Sequence, residues 1–127
     1  KCDIGTLASD FNSRNEMDDL NAVKVAVKEK FSGNTFLKAC DFFRANINST
    51  YNLYHHIGIY AFTNEALLRY VSLKRSKLEL DRKLEQLRAI ENNMSIHVGY
   101  IESSPLSVDT EEDLTEVKIL MERNEQD

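Results

Sequence analysis

The 127-residue chain is 42% hydrophobic and holds one Pro and four Gly, a composition that supports one modest core and excludes a low-complexity linker. Its formal net charge of −5 supplies no global field to draw it onto nucleic acid or an anionic bilayer, and no apolar run approaches the ~20 residues needed to cross one. Cys2 and Cys40 have neither metal-ligand spacing nor the numbers of a disulfide framework, so free thiols in a reducing compartment are expected. The chain opens at Lys1, not Met, and a preceding segment is expected.

In chain order, AVKVAV at Ala22–Val27 alternates, with Val23, Val25 and Val27 on one face and Lys24 on the other, and reads as a strand. EKFSGNTF supplies a turn around Gly33 and Asn34. A short strand is expected near Asp41–Ala45, followed by the polar loop NSTYN. IGIYAF at Ile57–Phe62 is a strand. Thr63 is placed to cap a helix, NEALLRYVSL, whose apolar side is Leu67, Leu68 and Val71. A second helix is expected over Lys77–Glu91, with Leu80, Leu84 and Leu87 at helical spacing and Glu79 paired to Lys83. Asn92 and Asn93 end it, and SIHVGYI returns as a strand. Pro105 breaks the chain before a last helix. Thr110 and Asp113 have the spacing of a capping box, and Leu114, Val117 and Met121 are its expected buried stripe. The order strand, strand, strand, helix, helix, strand, helix is mixed α/β. The first strands are too few to cover both faces of a sheet, which points to a missing partner half or a dimer.

HHIGIYAF carries the most chemistry. In a regular strand His56, Gly58, Tyr60 and Phe62 share one side, and Ile57, Ile59 and Ala61 face the core. A strand glycine weakens the strand and marks either a bulge or a close approach by a ligand. His56 and Tyr60 then flank a notch able to hydrogen-bond a polyol or an anion. Arg44 is a lone cation in apolar FFRA. It needs a protein carboxylate or a cavity, and its planar fork matches a substrate carboxylate in bidentate fashion. The helical wheel sets Glu85 away from the leucine stripe, in solvent. His55 and His97 read as surface or strand residues. Asp109 stands just ahead of the last cap, next to the positive end of the helix dipole, or aimed at a cation. No Gly-rich phosphate loop, CxxC pair or nucleophile elbow is present.

DIGTLA, NAVKVA, FFRA, HIGIYAF, KLEQLRAIEN, IHV and SVDTEEDL, in this order, resemble the C-terminal half of the 3-deoxy-manno-octulosonate (Kdo) cytidylyltransferase family. The resemblance implies a partial nucleotide-diphospho-sugar transferase-like α/β fold, a mixed sheet flanked by helices. Residues 1–127 would then be the sugar-binding and dimerisation half, without the N-terminal nucleotide-binding half and its basic loop. It implies a cytoplasmic homodimer that joins CTP to Kdo, releases pyrophosphate, requires Mg²⁺ and serves lipopolysaccharide biosynthesis. It implies that Arg44, His56, Tyr60, Glu85 and Gln86 bind the sugar, and that Asp109, the aspartate of VDT, holds the metal. Catalytic roles fall to Asp109 and Arg44. Two other readings stay open: a cytidylyltransferase for another sugar acid, such as a sialic acid, and a non-catalytic self-association module.

Overall fold

The computed structural model describes residues 2–45, 50–102 and 110–126. Its elements are β1 (Ile4–Ser9), α1 (Arg14–Asp18), β2 (Lys24–Val27), β3 (Leu37–Phe43), β4 (Asn52–Phe62), α2 (Asn64–Ser72), α3 (Lys77–Arg82), α4 (Gln86–Glu91), β5 (Ile96–Tyr100) and α5 (Glu111–Gln126). The sheet is mixed. β1 pairs antiparallel with β4, β4 with β2, β2 with β3 and β3 with β5, and β5 returns parallel to β1. The ring of pairings therefore closes in the order β1-β4-β2-β3-β5. Closure rests on a short join, Leu37 opposite Val98 and Lys38 opposite His97.

Several expected elements form with shifted bounds, and two were missed. β1 is short of large apolar residues, because Ile4, Thr6 and Ala8 are its inward set. α1 is five residues, capped by Ser13, whose Oγ accepts from the Glu16 N–H at 3.2 Å. The strand expected near Asp41–Ala45 instead spans Leu37–Phe43, and β4 begins five residues before Ile57. Thr63 does cap α2, accepting from the Ala66 N–H at 3.1 Å. Thr110 and Asp113 do form the reciprocal cap of α5, at 3.1 and 3.2 Å.

The helix expected over Lys77–Glu91 is two helices. Lys83 adopts the left-handed conformation (φ 57°, ψ 45°) and ends α3, and Glu85 starts α4. The elbow lets Leu84 and Leu87 both reach the core, while Leu80 stays exposed. It also replaces the expected Glu79–Lys83 pair. Glu79 is buried and instead binds Arg88 through both carboxylate oxygens, at 2.9 and 2.5 Å. Arg82 ties α3 to β3, donating to Asp41 Oδ1 at 2.8 Å and to the Phe42 carbonyl at 2.9 Å.

The core lies where α3 and α4 cover the sheet: Val25, Val27, Phe42, Leu84, Leu87, Met94, Ile96 and Val98 are its centre. β2 is buried along its whole length, so Lys24 does not face solvent as alternation implied. Its ammonium donates to the Asp19 carbonyl at 2.7 Å and to the Arg44 carbonyl. Burial holds its pKa below the usual lysine range, because the charged form is the one that suffers from losing water. The expected apolar stripes of the outer helices are not buried in this chain. Leu67, Leu68 and Val71 on α2, and Leu114 and Met121 on α5, are all exposed.

Leu87→Ala is expected to cost about 2–5 kcal/mol in urea unfolding, the range for deleting a fully buried leucine side chain. Met121→Ala is expected to fall within about 0.5 kcal/mol of the parent chain. Equal losses in the two variants would contradict this division of core and surface.

Candidate functional site

A cleft of about 830 Å³ opens between β4, α2 and the α3–α4 elbow, within the size range of small-molecule sites. Arg44, His56, Tyr60, Glu85 and Gln86 all line it, although the sequence scatters them over two elements and two loops. Asp109 lies outside the described residues.

The cleft starts from a break in the β1–β4 ladder. Thr6 pairs with Tyr60 and the next residue, Leu7, pairs with Ile57. Gly58 and Ile59 are left without partners and form a bulge. Strict alternation fails there: Ile59 and Ala61 are exposed, not core, while His56 and Ile57 are both buried. A Cβ built on Gly58 meets nothing within 4 Å, so the notch is empty space and not a packing requirement of the fold.

Thr6 fixes the chemistry of His56. Its hydroxyl lies 2.7 Å from the Ile59 carbonyl, 3.2 Å from the Ile57 carbonyl and 2.9 Å from His56 Nε2. Carbonyls only accept, so the single hydroxyl proton goes to the nearer one and His56 Nε2–H donates to Thr6. Burial disfavours the charged ring, so this hydrogen bond assigns the neutral Nε2–H tautomer, with Nδ1 as an acceptor. Burial pushes its pKa down to about 4, with His55 adding a smaller push. The His56 ring packs edge-on against Phe42 and lies 5.5 Å from the Tyr60 ring. Burial, with Tyr70 and Glu85 behind it, raises the Tyr60 pKa, so Tyr60 is a neutral hydroxyl donor at any ordinary pH.

Arg44 enters from the end of β3. Among the described residues its guanidinium reaches only main-chain oxygens, Leu20 at 3.5 Å and Lys83 at 3.4 Å. The cavity alternative, not the carboxylate pair, is the arrangement seen. Gln86 is buried, and its side-chain amide has no hydrogen bond among the described residues. Lining the cleft, that amide can both donate to and accept from an occupant. Glu85 is exposed at the rim, and its position follows from the elbow, which interrupts the helical wheel that put it in open solvent. The Tyr70 hydroxyl donates to the Glu85 carbonyl at 3.0 Å. The cleft thus offers a cation, a neutral imidazole acceptor, a phenol, an amide and a carboxylate over apolar walls, a set suited to an acidic polyol.

Sequence reasoning missed Tyr70, Lys83 and Asn21 in the lining, and Thr6 beneath it. His55 is also in the lining, stacked 5.7 Å from Phe11 with Nδ1 3.1 Å from Glu16 Oε1. His97 has its Nδ1 buried without a hydrogen bond among the described residues. No strand periodicity announces these placements, because the bulge and the elbow create them. Among the described residues no three His, Cys, Asp or Glu gather as a metal site.

The fold is that of a nucleotide-transferring enzyme family. Residues 2–96 match the family model described as Cytidylyltransferase, and the chain belongs to that family. The 3-deoxy-manno-octulosonate cytidylyltransferase of Bartonella henselae is 46% identical over 122 residues, covering 94% of this chain and 49% of the relative. That of Azorhizobium caulinodans is 42% identical over 124 residues, covering 97% and 49%. A solved structure of CMP:2-keto-3-deoxy-manno-octonic acid synthetase complexed with CTP superposes with a TM-score of 0.79 at 28% identity. It covers 97% of this chain and 50% of that one. The chain spans about half the length of the curated relatives it matches.

His56 sets a pH dependence. Its folded pKa of about 4 lies below the ordinary 6.5, so between these values the unfolded chain binds the proton and the folded chain does not. Stability therefore rises with pH across that window and is lost on acidification. A loss of roughly 2 kcal/mol is expected between pH 7 and pH 5, read from urea unfolding at each pH. His56→Gln is expected to flatten that slope; a slope unchanged in the variant would contradict the assignment.

Proposed function

We propose that this chain is the sugar-acid-binding half of an enzyme that joins CTP to 3-deoxy-manno-octulosonate, giving CMP-Kdo and pyrophosphate for lipopolysaccharide biosynthesis. The observation that carries the reading is the convergence of Arg44, His56, Tyr60, Glu85 and Gln86 around the empty notch at Gly58. Arg44 receives the sugar carboxylate through paired N–H donors. His56 Nδ1 accepts from a sugar hydroxyl, Tyr60 donates to another, and Gln86 does both. Glu85 accepts at the rim. Held this way, the anomeric hydroxyl of the sugar attacks the α-phosphate of CTP. A new P–O bond forms as the hydroxyl proton passes to water, the bond from the α-phosphorus to the bridging oxygen breaks, and pyrophosphate leaves with that oxygen. The residues of this cleft contribute binding and orientation; the CTP pocket belongs to a nucleotide-binding half supplied in cis or in trans.

Mg²⁺ is part of the reading, with Asp109 as one ligand. A single carboxylate does not hold this ion alone, but Mg²⁺ keeps several waters and takes one or two carboxylates beside substrate phosphates. Such an ion would neutralise charge at the reacting phosphate when bound. A cytoplasmic homodimer completes the proposal; exposed Leu68 on α2 supports self-association, while its neighbours Leu67 and Val71 serve as walls of the cleft. No helix among the described residues is long and apolar enough to cross a membrane.

Titration calorimetry of this chain with 3-deoxy-manno-octulosonate tests the cleft. Arg44→Gln is expected to weaken binding at least tenfold, the size of a lost charge-assisted contact. Gly58→Ala is expected to weaken it comparably while keeping the unfolding midpoint, because the added methyl meets only empty cleft. Binding no tighter than that of glucose would sink the reading, and preference for a sialic acid would transfer it to that substrate. In a longer protein carrying the nucleotide-binding half, Asp109→Asn is expected to abolish CMP-Kdo formation with the fold intact. Near-parental turnover would remove Asp109 from the metal site.

A further inference from the structure

Two cleft residues, Glu85 and Gln86, stand on an elbow that regular helix does not support. Lys83 is left-handed there, a conformation that a residue with a Cβ adopts only against steric strain. Something beyond local propensity must hold it. The Glu79 carboxylate is clasped by Arg88 Nε and Nη2 at 2.9 and 2.5 Å and also accepts the Ser76 N–H at 2.9 Å. This joins the first turn of α3 to the middle of α4 across the bend. The Arg88 guanidinium carbon sits 4.8 Å from the centre of the Tyr70 ring. Tyr70 in turn donates its hydroxyl to the Glu85 carbonyl at 3.0 Å, an oxygen that also accepts the Arg88 N–H at 3.1 Å. From the cleft side Arg44 reaches the Lys83 carbonyl at 3.4 Å.

We propose that Arg88 and Tyr70 are positioning residues: with Glu79 they clamp the α3–α4 elbow and so fix where Glu85 and Gln86 stand in the cleft. Arg88 does not line the cleft; it acts through the Tyr70 ring and the Glu79 carboxylate. Tyr70 lines the cleft as an apolar wall and spends its hydroxyl on the backbone. A lysine at 88 keeps the charge and loses both the fork and the flat face that the site uses. The consequence for ligand affinity rests on the sugar-acid reading above; the clamp itself does not.

Amide hydrogen exchange on this chain reads the clamp directly, and calorimetry with 3-deoxy-manno-octulosonate reads its consequence. Tyr70→Phe removes one hydroxyl and is expected to speed exchange at Leu87 and Arg88 about fivefold, the worth of one hydrogen bond. The urea midpoint should fall only by the amount that same bond accounts for, and sugar-acid affinity should fall by a similar factor. Arg88→Lys is expected to act in the same direction. The double variant should add little to the larger single effect, because both act through one contact chain. A merely structural pair would instead speed exchange across the chain in step with the global change and leave sugar-acid affinity unaltered. Unchanged elbow exchange in Tyr70→Phe overturns the proposal whatever the sugar does. Faster exchange with unaltered affinity in a chain that binds the sugar also overturns it. Faster exchange in a chain that binds no sugar acid supports the clamp and refutes the substrate reading alone.

Discussion

A single threonine hydroxyl organises the cleft. Thr6 reaches across from β1 to the Ile57 and Ile59 carbonyls and to the His56 ring. Without it the bulge at Gly58 and Ile59 would leave the Ile59 carbonyl and an imidazole N–H to find other partners, each costing about 1–3 kcal/mol if left unmade. With it, the ladder slips by two residues at that point. The strand then turns Tyr60 over the notch instead of continuing the pleat. The tautomer of His56, the space beside Gly58 and the reach of Tyr60 follow from that contact.

On the far wall, an arginine–glutamate pair and a tyrosine do what the threonine does on the near one. Both devices hold main chain in a shape that local preference opposes, and both leave neighbouring side chains free for a ligand. Neither supporting group looks functional by type or spacing. Arg44, between the walls, is kept from neutralisation by any carboxylate among the described residues, so its charge is still available to an anion.

Local chemistry was the legible part. The caps at Thr63 and Thr110 involve residues three apart and formed as spacing indicates. The central strands at Ala22–Val27 and Ile57–Phe62 carried enough β-branched and aromatic residues to be seen. β1 did not, because its inward set includes a threonine and an alanine. The break at Lys83 had no Gly, Pro or Asn to announce it. It exists because Leu84, Leu87 and the Glu79–Arg88 pair gain more from burial together than a straight helix allows. The gathering of Arg44, Glu85 and Gln86 beside His56 was legible only through family likeness. Periodicity alone misassigned the Ile59 face, and although it had Glu85 exposed it gave no sign of the cleft beside it. The apolar sides of α2 and α5 were visible in sequence as stripes, yet sequence could not say that this chain leaves them uncovered.

Lys24 has a further consequence. Its amine is sealed inside the sheet, held by two peptide oxygens, and disfavoured in its charged form. Reagents that acylate lysines will modify the surface amines first and meet this one only when its two carbonyl partners give way. The extent of labelling at that position, followed over time by mass spectrometry, is a built-in clock for how often the segments at Asp19 and Arg44 release the amine.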